Sequence, residues 1–197
     1  MTLDVRKGFR IHDRDLLDKL EQHHPRPQLV QAWRTTWAHR DPLLGSTAAG
    51  RWNPEGHFEV LYTSLDFDGS IAEPYYHSSR APILSSRPVK VHRLRVSTQR
   101  SLVLDSDNPL ARLGVDMTRY KNPISDQSGL TRTQEIGAAA HFLEYDSLLV
   151  PSARWSCLNL VIFLDRIDSG AAIALETSED VNWPAWREQR AGTARFE

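Results

Sequence analysis

Apolar residues along this chain recur in short bursts, some at helical spacing and more at strand spacing. Over residues 12–22, Leu16, Leu17 and Leu20 share one helical face, Asp13 or Asp15 stands where a cap is needed, and Pro25 and Pro27 end the run. Residues 29–33 read as a strand, with Arg34 just past it. Pro42, Gly45, Gly50, Pro54 and Gly56 preclude regular structure, so Gly50-Arg51-Trp52-Asn53-Pro54 lies in a loop. Residues 60–63 read as a strand, after which Asp66 or Asp68 opens a helix with Ile71 and Tyr75 on one face. Residues 89–96 alternate, with Val89, Val91, Arg93 and Arg95 on one side and Lys90, His92, Leu94 and Val96 on the other. Residues 102–104 are expected as a short separate strand, and residues 105–123 as irregular chain with one brief helix. Thr131 and Gln134 form a capping-box pattern for a helix carrying Ile136, Ala139, Ala140 and Leu143. Residues 148–150, 160–164 and 172–175 read as further strands, the first stopping at Pro151-Ser152; a polar tail then holds Trp183 and Trp186.

Strands outnumber helices and are joined by irregular or single-helix connections. That predicts an α+β fold with mostly antiparallel sheet rather than a doubly wound one. The 197 residues suit one domain with extensions: residues 1–28 as an N-terminal helical extension, residues 29–176 as the main domain and residues 177–197 as a C-terminal tail. No apolar run approaches the roughly 18 residues that cross a bilayer, and the opening residues do not pattern as a signal peptide, so a cytoplasmic protein is expected. A net charge of -1 argues against a broad basic face for nucleic acid. The single cysteine, Cys157, precludes an internal disulfide and a cysteine-rich zinc site; lacking an adjacent His, it reads as a small buried apolar group. His23-His24 has no partners at ligand spacing, so no metal is expected. Neither Gly-rich phosphate fingerprint is present, and a nucleotide would have to be held by another device.

Four polar residues stand where strands meet loops: Arg51, Tyr62, Glu73 and Ser152. Each has an ordinary structural reading: a surface ion pair, a ring with its hydroxyl at the rim, a first-turn carboxylate favoured by the helix dipole, and a turn cap. Their order and local contexts point further. Gly50-Arg51-Trp52-Asn53-Pro54, Val60-Leu61-Tyr62-Thr63-Ser64, Ile71-Ala72-Glu73, Thr133-Gln134-Glu135-Ile136-Gly137, Leu149-Val150-Pro151-Ser152 and Asn159-Leu160-Val161 together resemble the RES (Arg-Glu-Ser) family, and Arg34 is similar to an arginine near the end of that family's first strand.

The resemblance implies a fold like that of the ADP-ribosyltransferase toxins, with peripheral helices and NAD held in a central cleft. It also implies an NAD-degrading enzyme, a phosphorylase or glycohydrolase, acting as the toxin of a toxin–antitoxin pair. Inorganic phosphate would then be a co-substrate alternative to water, and an Xre-like helix-turn-helix protein the antitoxin that plugs the cleft. A homodimer is compatible with it. Within this reading Glu73 stabilises positive charge growing on the ribose, Arg34 and Arg51 hold the pyrophosphate, and Tyr62 stacks on the nicotinamide or ribose edge. Ser152 fixes the pose, and Asn159 joins the binding set. Two departures bear on the transfer: Pro74 after Glu73, which biases that residue away from helical angles, and a Ser- and Pro-rich insert at residues 80–88, expected to lengthen a cleft wall. The alternatives are a protein ADP-ribosyltransferase on the same fold and a non-catalytic RES-like binding module, the latter favoured by Pro74 and by a docking role for Trp183 and Trp186, whose ordinary reading is packing of a C-terminal segment onto the domain.

Overall fold

The computed structural model describes residues 12–79, 88–122, 129–167 and 172–190. Six strands, β1 (Arg26–Trp37), β2 (Val60–Ser64), β3 (Val89–Val103), β4 (Ser147–Pro151), β5 (Leu158–Phe163) and β6 (Ala172–Asp180), share one sheet in the order β1-β2-β5-β4-β3-β6. An additional β1–β3 pairing closes the first five into a barrel and leaves β6 attached to β3. Every pairing is antiparallel except β3 with β4. The α+β expectation with mostly antiparallel sheet therefore holds.

β2 and β5 are buried on both faces, which is why VLYTS and LNLVIF read as continuous apolar runs and not as alternations. Leu61, Leu160 and Ile162 point into the barrel with Ala32, Leu94, Val96 and Leu149. Val60, Val161 and Phe163 point outward, where Leu102, Leu148 and Val150 join them against the helices.

Among the described residues, α1 (Arg14–Glu21), α2 (Phe67–Ser79), α3 (Asp107–Arg112) and α4 (Arg132–Phe142) lie outside the barrel, and α5 (Trp183–Arg190) packs on α2. Asp13 caps α1 by accepting the Asp15 N–H at 3.1 Å. Leu16 and Leu20 are fully buried in the outer core, each stabilising the fold by about 1.5–3 kcal/mol. The Tyr145 hydroxyl pins the end of α1 by donating to the carbonyls of Leu20 and His23. The capping box of α4 is complete: Thr131 Oγ1 accepts the Gln134 N–H, and the Gln134 side chain accepts the Thr131 N–H.

One expectation needs correction. Residues 102–104 do not make a separate strand, because β3 runs unbroken from Val89 to Val103 and merely changes partners. Its first part lies between β1 and β6, and Ser101–Val103 turns to β4. Of the two readings of the C-terminal tryptophan pair, packing onto the domain holds for Trp186. That indole is buried against Ile71 and Ala72 of α2, and its Nε1–H donates to Asp68 at 2.8 Å.

Candidate active site

The Gly50–Pro54 loop lies on the outer side of β2, and its shape is set by three polar side chains. Asn53 is fully buried and donates to the carbonyl of Ala48 at 2.7 Å. Its Oδ1 accepts from the Tyr62 hydroxyl at 2.8 Å, and that hydroxyl accepts the Trp52 N–H at 2.9 Å. Gln134 reaches over from α4 and donates to the carbonyl of Gly50 at 3.0 Å. A Cβ at Gly50 would overlap Asn53 Oδ1 and the Tyr62 hydroxyl, so only glycine lets the loop close on that phenol. Trp52 is buried as the anchor.

With its neighbours fixed, Arg51 projects from the loop. Its guanidinium lies 5.0 Å from the centre of the Tyr120 ring and donates to the carbonyls of Tyr120 and Asn122, the latter at 3.1 Å. Glu73 approaches from α2. Asp66 starts that helix by accepting the Gly69 N–H at 2.8 Å, Ser70 bonds Thr35 of β1 at 3.2 Å, and Ile71 and Ala72 are buried against Trp186. Pro74 lies inside α2 without ending it. Glu73 therefore sits mid-helix, not at a helix start, and its backbone is helical despite the following proline. The surrounding packing offsets the rung that Pro74 gives up. The insert at residues 80–88 lies outside the described residues apart from Pro88.

The phenols of Tyr62 and Tyr120 feel both of these charges. Burial raises the pKa of both, Arg51 draws both down, and Glu73 pushes both up. Each hydroxyl thus lies in the field of the same cation and the same carboxylate. Ser152 closes another side. Just past β4, its N–H donates to the Cys157 carbonyl at 2.9 Å and its Oγ accepts the Arg154 N–H at 3.3 Å. The Tyr120 hydroxyl donates to the preceding carbonyl, that of Pro151, at 2.7 Å. Asn159 is half-buried on β5 in register with Ser64 and Val150, on the outward side that Tyr62 also faces. The Cys157 thiol is raised in pKa by burial and touches Ser64 Oγ at 3.3 Å.

Arg34 is not brought into this group. Trp33 is in register with Ser64 and shares its face, so Arg34 follows Ala32 to the inner side of the sheet. There it donates to the carbonyls of Leu44 at 2.9 Å and Tyr62 at 3.4 Å. Burial, with the nearby charge of Arg40, lowers its pKa to about 10, so it remains a cation at neutral pH. Its geometry ties β1 to β2 and to the approach of the Arg51 loop. Sequence reasoning missed Tyr120 and Gln134 as parts of the site. Nothing in the spacing around Tyr120 marks it. For Gln134 the capping box was visible, but not that its amide also reaches the loop.

Among the described residues no group of His, Cys, Asp or Glu could hold a metal ion, and no helix is long and apolar enough to cross a membrane. The RES domain family matches residues 9–187, nearly the whole chain. The chain belongs to the RES domain family. No curated protein sequence matches it. Among solved structures, this RES protein is similar to a chain in the crystal structure of the M. tuberculosis MbcT–MbcA toxin–antitoxin complex. The two superpose with a TM-score of 0.74 at 23% identity over 91% of this chain and 98% of that one. The barrel with its covering helices is thus a fold seen elsewhere.

Proposed function

We propose that this RES protein cleaves the nicotinamide–ribose bond of NAD and serves as the toxin of a toxin–antitoxin pair. The fold is read as ADP-ribosyltransferase-like, with NAD in a cleft bounded by Arg51, Tyr62, Glu73 and Ser152. The observation that carries the reading is that the phenols of Tyr62 and Tyr120, the latter beneath the Arg51 guanidinium, both lie in the fields of Arg51 and Glu73. Family membership and the likeness to a toxin–antitoxin structure support it.

The chemistry suits the groups present. Breaking the bond builds positive charge on the ribose, which a fixed carboxylate stabilises most strongly in the transition state. Arg51 offers a permanently charged fork to a phosphate. Nicotinamide departs uncharged, so no general acid is needed. Ser152 and Asn159 orient the substrate, and phosphate or water takes up the ribose carbon. The partner is an Xre-like helix-turn-helix antitoxin that covers the same cleft.

Incubation of the purified protein with NAD, with and without inorganic phosphate, tests the reading by chromatography of the products. Nicotinamide should appear together with ADP-ribose or its phosphate ester. Glu73→Gln keeps the shape and removes the charge, and should slow turnover by about two to three powers of ten. Turnover by the variant at the parent rate would remove Glu73 from the chemistry, and label transferred to protein would make the acceptor a side chain.

A further inference from the structure

Arg154 leaves the same turn as Ser152, its N–H donating to the Ser152 hydroxyl. Its guanidinium lies over the Tyr76 ring, 3.6 Å from the centre, and donates to the carbonyl of Lys121. Tyr76 stands one helical turn beyond Glu73 on α2, so this contact brings the cation to the Glu73 side of the fold. Arg51 reaches the same stretch of chain from the other direction, through the carbonyls of Tyr120 and Asn122. Two arginines far apart in sequence therefore meet on three consecutive peptide carbonyls, next to a phenol and a carboxylate. No comparable approach exists for Arg34, which the register sends to the inner face of the sheet.

We infer that Arg154 and Arg51 together form the pyrophosphate clamp of the dinucleotide site, in the role expected from the sequence for Arg34. This rests on the NAD reading above. A pyrophosphate carries its charge on two adjacent phosphoryl groups, and two guanidinium planes anchored on one short segment match that spacing better than one. Arg51 commits two of its five N–H donors to the carbonyls, leaving capacity for an anion. Stacking on Tyr76 fixes the plane of Arg154 without consuming a donor. Lysine, a point charge on a flexible stem, reproduces neither the plane nor the stack.

Calorimetric titration separates the possibilities, using ADP-ribose as a ligand that contains the pyrophosphate and nicotinamide riboside as one without any phosphate. Arg154→Ala should weaken ADP-ribose binding about ten- to a hundredfold, as expected for losing one charge-assisted contact. Arg154→Lys should recover only part of it, Arg34→Ala should show no preference between the two ligands, and riboside binding should not change in Arg154→Ala. Parent-like affinity for ADP-ribose in a folded Arg154→Ala protein, or equal weakening of both ligands, would overturn the clamp. NAD turnover by the parent is measured alongside. Arg154-dependent ADP-ribose binding without turnover would sink the catalytic reading and keep the clamp, turnover with no dependence on Arg154 would do the reverse, and a parent that neither binds ADP-ribose nor turns over NAD would end both.

Discussion

At the scale of single residues, the Tyr62 hydroxyl carries more than one duty. It donates to Asn53 and accepts from Trp52, so it holds the Arg51 loop as well as facing Glu73. Tyr62→Phe leaves a buried amide oxygen and a backbone N–H without their partner, at a cost of about 1–3 kcal/mol. Its midpoint in chemical denaturation should fall accordingly, and NAD turnover should fall because Arg51 loses its fixed base. An unchanged midpoint would show that water replaces the phenol. Much of this was legible as residue identity. The order of Arg51, Tyr62, Glu73 and Ser152 is visible in the chain, although Tyr62 proves to lie mid-strand and Glu73 mid-helix rather than at junctions. The misplacement of Arg34 has a simple physical source. A strand alternates its side chains between two faces, and one position decides which. Reading the strand as ending at Trp33 hid the fact that β1 continues to Trp37 with strict alternation.

At the scale of elements, the site depends on how closely α4 meets the loop. Any Cβ at Gly137 would run into the backbone carbonyl of Trp52, and backbone cannot swing aside as a side chain can. Gly137→Ala therefore forces α4 and the loop apart, although alanine is the better helix former by about 1 kcal/mol. Overpacking of this kind costs about 1–3 kcal/mol. The prediction is a lower thermal midpoint together with weaker NAD binding. A rise in stability would mean that helix propensity outweighs the contact and that the packing gives way freely. The sequence carried the helix, its cap and its glycine, but not this contact. Capping is written in residues three apart, whereas the approach to Trp52 joins positions 85 residues apart. Pro74 is a related case. Local backbone preference argued against helical angles at Glu73, yet Asp66 capping on one side and burial of Ile71 and Ala72 against Trp186 on the other keep α2 continuous.

At the scale of the whole molecule, histidines distributed over the fold set a common pH dependence. Burial lowers the pKa of His23, His92 and His141 below the usual imidazole value. For His92, Lys90 and Arg34 press in the same direction while Asp41 opposes them, and its ring bonds Thr36 at 3.0 Å and Ser178 at 2.7 Å. For His141, a 2.8 Å contact with Asp165 opposes the shift without cancelling it. A lowered histidine favours the neutral form in the folded state. Above the unfolded value of about 6.5 both states are neutral and the fold keeps its full stability. As the pH falls below that value the unfolded chain takes up protons first, so stability is lost until the folded-state values are reached. Thermal melts should accordingly be flat near pH 7.5–8 and decline progressively below about pH 6.5. Carboxylates, whose ordinary values lie near pH 4, enter only later. His92 is almost wholly buried and should account for a slope of at most about 1.4 kcal/mol per pH unit. His92→Gln, which can still bond Thr36 or Ser178 but does not titrate, should flatten that part of the curve even though it lowers stability at pH 8. An equally steep decline in the variant would assign the loss to His141 and His23.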